Sequence, residues 1–179
     1  MRRIASVLFI LVPAGLLFAV LLQASIQSTD RLPEPRPRSL ESLAIVVNLT
    51  NPVVNVSMAE LRQIFLGERG HWPNGHRITL VMMSPDQPER KAVLRDICHM
   101  SETEFNNHFL HGLFTGEVLV SPKTLASPVG VRKFVFNVPG AIGYLRASDV
   151  DTSIKMVRVD ELLPDDRGYN LHIPSSPFR

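Results

Sequence analysis

The chain has 179 residues, a formal net charge of +2, 45% hydrophobic residues and one cysteine. That length fits one domain with extensions, and the lone Cys98 excludes an internal disulfide, so the domain must rely on an apolar core. Setting aside Arg2 and Arg3 reduces the 19 basic residues to 17, equal to the 17 acidic ones; with that balance and no basic stripe, nucleic-acid binding is excluded as a class.

Arg2 and Arg3 precede a stretch, Ile4 to Leu22, that carries no formal charge. A membrane-spanning helix needs roughly 20 apolar residues, whereas the core of a signal peptide is usually shorter. Residues 1–26 are therefore expected to be a signal peptide or an N-terminal membrane anchor. Either reading predicts that the rest of the chain works in the periplasm or on the outer face of the cytoplasmic membrane. Residues 27–42, with Pro33, Pro35 and Pro37, predict an extended, semi-rigid linker.

A domain is expected over residues 43–163. LAIVVNL at 43–49 predicts a buried strand, broken by Asn51-Pro52. Ser57 and Glu60 form a capping box, and Met58, Leu61, Ile64 and Phe65 give the following helix an apolar face that Gly67 ends. Residues 70–76 are a turn cluster, and 77–83 predict a second buried strand. A loop at 84–88 leads to a helix over 89–99. Ser101 and Glu104 make another capping box, opening a short helix with Phe105 and Phe109 on one side; Gly112 and Gly116 delimit a loop after it. Residues 117–121 predict a strand. Ser127-Pro128 starts a helix carrying Val131, Phe134, Val135 and Val138, and Pro139-Gly140 ends it. Strands are predicted at 141–145 and 153–159, followed by an irregular tail over 164–179. The alternation of strands and helices predicts an α/β sheet covered by helices.

Chemistry is sparse. There is no nucleophile elbow, no Gly-rich phosphate loop and no H-E-x-x-H pattern. Cys98 lies on an apolar helix side and reads as a small buried hydrophobe. His108 and His111 make one weak pair where a metal needs three or four ligands. The chain is therefore expected to be non-enzymatic, with neither metal nor cofactor. The remaining feature is the set of helix starts that follow strands or loops, whose free N–H groups suit an anion. Ser84, Arg90 and Ser127 are the candidate ligand-binding residues there, through hydroxyl and guanidinium donors.

Three segments carry a family resemblance: MAELRQIFLGERGHWPNGHRITLV at 58–81, Phe114 to Gly116 as F-x-G, and VPGAIGYL at 138–145. The chain resembles the phosphate-type substrate-binding proteins of ABC transporters, in a short single-module form. The resemblance implies a reduced type II periplasmic-binding-protein fold and a ligand such as phosphate. It also implies a departure. In the family, an arginine and a D-G-S-G-T loop follow the strand equivalent to 77–83. Here the stretch is MMSPDQPER at 82–90, with Met82 or Met83 at the arginine position, Ser84 retained, and Glu89 placed to repel an anion. Two functions are thus expected to compete: an extracytoplasmic binding module for a small anion, or a membrane-associated interaction or sensor module that has lost phosphate and contacts a membrane or envelope protein.

Overall fold

The computed structural model describes residues 40–174. Its strands are β1 (Leu40–Val47), β2 (Asn55–Val56), β3 (Thr79–Met83), β4 (Lys123–Leu125), β5 (Ala141–Arg146), β6 (Lys155–Val159) and β7 (His172–Pro174). Its helices are α1 (Met58–Phe65), α2 (Pro88–Val93), α3 (Glu102–Thr115) and α4 (Pro128–Asn137). The strands form one mixed sheet in the order β2-β6-β1-β5-β3-β4, with β7 also paired to β1.

β1 is central because its residues are apolar on both sides. Leu43 to Val47 are all fully buried, as a strand covered on both faces requires. It pairs antiparallel with β5, where Leu43 faces Arg146 and Val47 faces Ile142, and antiparallel with β6. β3 runs parallel to both β5 and β4, so the C-terminal ends of β3, β4 and β5 share one edge of the sheet.

Helices cover both faces, and neighbouring residues of β5 show how. Gly143 faces α4: an added Cβ would lie 3.2 Å from Val131 and 3.7 Å from Val135. The next residue, Tyr144, points the other way. Its ring lies 6.0 Å from that of Phe65 on α1, and its hydroxyl oxygen accepts the Met83 N–H at 2.9 Å. Burial pushes the Tyr144 phenol well above the usual range, so the hydroxyl stays protonated. The capping boxes at Ser57 and Ser101 are both formed, each serine accepting from the backbone N–H of the glutamate three residues on.

Four sequence expectations need correction. The helix expected over 89–99 divides: α2 is followed by one π-helical turn, Leu94–Cys98, which ends at His99 in the left-handed region. α3 continues through Gly112 because this glycine is a point of close approach. A Cβ there would come within 2.7 Å of Val118, which packs over it. The strand expected at 117–121 is absent. Only Val118 of that stretch turns inward, Leu119 and Val120 are exposed, and the strand forms at Lys123–Leu125 instead. The tail beyond 163 is not irregular throughout: Tyr169, Leu171 and Ile173 are buried with the period of a strand, and the Tyr169 hydroxyl donates to the Leu43 carbonyl at 2.6 Å.

The expected location at a membrane is also corrected. Among the described residues no helix is long and apolar enough to cross a membrane. The segment that carried the expectation, residues 4–22, and residues 27–39 of the expected linker lie outside the described residues, while its last three residues, 40–42, belong to β1. The transmembrane reading and the location derived from it are not carried forward.

Candidate functional site

Of the expected ligand residues, Ser84 and Ser127 reach the shared edge of β3, β4 and β5. Ser84 follows β3, and its N–H donates to the Leu125 carbonyl at 3.0 Å, joining it to the end of β4. Ser127 caps α4 from extended backbone, its Oγ accepting the Gly130 N–H at 3.1 Å. Pro128 follows at the first helical position, where the missing N–H costs nothing.

Arg90 reaches the same edge, at the Met83 carbonyl, but offers it no free donor. It is buried, and every donor group of its guanidinium has a protein partner. Nε and Nη2 grip Glu102 in a two-pronged contact at 2.8 and 2.6 Å, while Nη1 donates to the Met83 carbonyl at 2.9 Å. The guanidinium also lies 5.4 Å from the centre of the Phe105 ring. The hydrogen bond from Arg90 is the largest influence holding the Glu102 carboxyl below its ordinary range. Arg90 thus fastens α2 to α3 and to the end of β3. Met82 and Met83 are fully buried and contribute side-chain bulk to the core.

A second guanidinium at this edge, missed by the sequence reading, is Arg146 at the end of β5. It contacts Glu89 through Nε and Glu41 through Nη1. Burial acts against its charge, and the hydrogen bonds it donates to Glu41 and Glu89 more than offset that, so its pKa stands above the ordinary arginine value. Glu89 is only 3% exposed, and its second carboxylate oxygen has no partner among the described residues. The edge therefore holds two arginines, Arg90 and Arg146, against three carboxylates, Glu41, Glu89 and Glu102. A desolvated anion needs unpaired donors and prefers a free guanidinium. Here both guanidiniums are engaged and the balance is negative. The signal available in sequence was the placement of Arg146 directly after the apolar run 141–145, where a charge closes a buried strand.

Two cavities flank α3, the second of them reaching Arg90. One, of about 210 Å³, sits by the start of β3 among Ile64, Arg69, Arg77, Phe109 and Val118. The other, of about 280 Å³, is a groove between α3 and the segment leading into β4, lined by Phe105, Leu110, Leu113, Pro122 and Thr124. Among the described residues no group of three or more His, Cys, Asp or Glu side chains is placed to hold a metal ion. Cys98 is buried, and that burial pushes its thiol up to about 12, which suits an inert core residue.

This architecture is an α/β fold resembling that of type II periplasmic binding proteins, and the solved structures it matches include phosphate receptors of ABC transporters. It matches an ABC-type phosphate transport receptor from Vibrio cholerae with a TM-score of 0.59 at 20% identity, over 76% of this chain and 55% of that one. A phosphate-bound putative phosphate ABC transporter substrate-binding protein from Clostridium perfringens matches with a TM-score of 0.63 at 19% identity, over 76% and 54%. PstS from Borrelia burgdorferi matches with a TM-score of 0.61 at 12% identity, over 76% and 56%. The chain thus spans about half the length of these receptors. No family model matches the sequence, and no curated protein is detectably similar to it.

Proposed function

We propose that this chain is a non-enzymatic binding module, built on the phosphate-receptor fold, whose edge no longer clamps phosphate and which recognises a protein partner. The observation that carries the reading is the pairing of Arg90 with Glu102 and of Arg146 with Glu41 and Glu89. An entering phosphate would compete with these carboxylates for the two guanidiniums and would meet the surplus carboxylate. The exposed apolar side chains of α3 and the following segment supply surface for a protein contact.

A second reading, weak retention of a small anion, is favoured by one arrangement: Ser84 lies at the same edge as the capped start of α4. Calorimetric titration with inorganic phosphate separates the two. The expected result is a dissociation constant weaker than about 1 mM, equivalent to less than about 4 kcal/mol. Micromolar binding that disappears in Ser84→Ala or Ser127→Ala would restore the anion reading and remove the first.

A further inference from the structure

The cavity of about 210 Å³ lies at the start of β3, the other end of that strand from the closed edge, and its lining divides by polarity. Ile64, Leu80, Phe109 and Val118, all buried, make an apolar floor. Glu68, Arg77 and Glu117 line it as well, and all three are exposed. The backbone brings them together. Gly67, in the left-handed region, sits so close to α3 that a Cβ there would stand 3.1 Å from both Phe109 and Val118, which sets Glu68 beside the segment that carries Glu117. The Ile78 N–H donates to the Gly70 carbonyl at 2.8 Å, which holds Arg77 on the wall formed by residues 70–78. Among the described residues none of the three takes part in an ion pair. Arg69, which lines the same cavity, is by contrast paired with Glu60 at 2.9 Å. Unpaired charges of both signs therefore surround one apolar recess.

We infer that this cavity binds a free α-amino acid with an apolar side chain of about the size of leucine or phenylalanine. Arg77 donates to the carboxylate, a contact that a guanidinium can make with two prongs. Glu68 and Glu117 accept from the ammonium, and the apolar side chain covers the floor. The charges select this class over simpler ligands. An apolar acid without an ammonium would bring its carboxylate up to two others. An apolar amine would bring its charge up to Arg77. A neutral hydrocarbon would take water from all three side chains and return no hydrogen bond. Size agrees with the choice. A cavity of about 150 Å³ already holds benzene, so one of about 210 Å³ accepts such a side chain while the charged end stays at the mouth. None of the three charged residues belongs to the closed edge, so the inference goes beyond the partner reading and does not rest on it.

The test is calorimetric titration of the full chain with L-leucine and L-phenylalanine, and with two cut-down forms of leucine. One is 4-methylpentanoate, which lacks the ammonium; the other is 3-methylbutylamine, which lacks the carboxylate. At least one of the two amino acids is expected to bind with a dissociation constant below about 1 mM. It should bind at least about 10-fold more tightly than the matching acid or amine, because each of these forfeits a hydrogen bond to a charged group. This comparison needs no altered protein. Arg77→Met should then weaken the amino acid by about 10-fold or more and leave the amine no weaker. Glu68→Gln combined with Glu117→Gln should bring amino acid and acid to similar affinity. The parent's denaturation midpoint in each variant shows that the fold is kept. No saturable binding of either amino acid, a smaller preference over the acid or the amine, or an Arg77→Met chain that binds as the parent does would each overturn the inference. The phosphate titration reads the closed edge and is independent of these results.

Discussion

Replacing Arg146 with methionine is expected to lower stability by about 3–5 kcal/mol, the usual consequence of taking away one partner of a buried ion pair. The reason lies in what stays behind. Glu89 is almost fully buried, one of its oxygens already lacks a partner, and the other would lose its only one. Glu41, on β1, would lose the same guanidinium. Methionine conserves much of the side-chain length, so the loss reports charge more than packing. Removing the charges together should be far milder. A chain carrying both Arg146→Met and Glu89→Leu is expected to recover most of the deficit, because an apolar pair of similar volume can replace a buried ion pair at little cost. Chemical denaturation of the two single variants and the double variant measures the coupling directly. A loss in the double variant equal to the sum of the two single losses would mean that Arg146 and Glu89 do not depend on each other, and the closed edge would lose its basis.

The substitution Gly140→Ala is expected to cost about 3 kcal/mol, at the top of the usual range for overpacking. A Cβ on Gly140 would stand 2.0 Å from the carbonyl oxygen of Arg77, a backbone atom that no rotamer change can move. The same residue ties down the 70–78 turn. Its carbonyl accepts the Trp72 indole N–H at 3.0 Å and the Thr79 N–H at 3.0 Å. Relief of the clash must shift β5 or the turn, so both hydrogen bonds suffer. Trp72 is the single tryptophan of the chain and is buried, which makes its emission a local reporter. The expected outcome is a lowered denaturation midpoint together with a red-shifted native spectrum. A variant with the parent's midpoint and spectrum would show that the backbone approach at Gly140 is not tight.

The elements that were legible in the sequence are those whose signal is local. The capping boxes at Ser57 and Ser101, the Ser127-Pro128 start of α4, and the unbroken apolar runs of β1 and β3 all declare themselves within a few residues. What was not legible depends on distant partners. Gly112 reads as a breaker until Val118 is known to lie against it. The tail reads as loop because its Pro, Gly and Asp content hides the alternating Tyr169, Leu171 and Ile173, whose strand forms only by pairing with β1. At the candidate site, Ser84 and Ser127 could be placed near strand and helix ends from sequence. The direction of Arg90 could not, because it is set by Glu102 on another helix.

The position of β1 has a consequence for how the domain forms. It is the first strand of the described chain and sits in the middle of the sheet, yet its neighbours β5, β6 and β7 lie at residues 141–146, 155–159 and 172–174. Every ladder that secures it closes a loop of roughly a hundred residues, which slows two-state folding relative to locally wired chains. During synthesis this oily strand waits, unpaired, until β5 has been made.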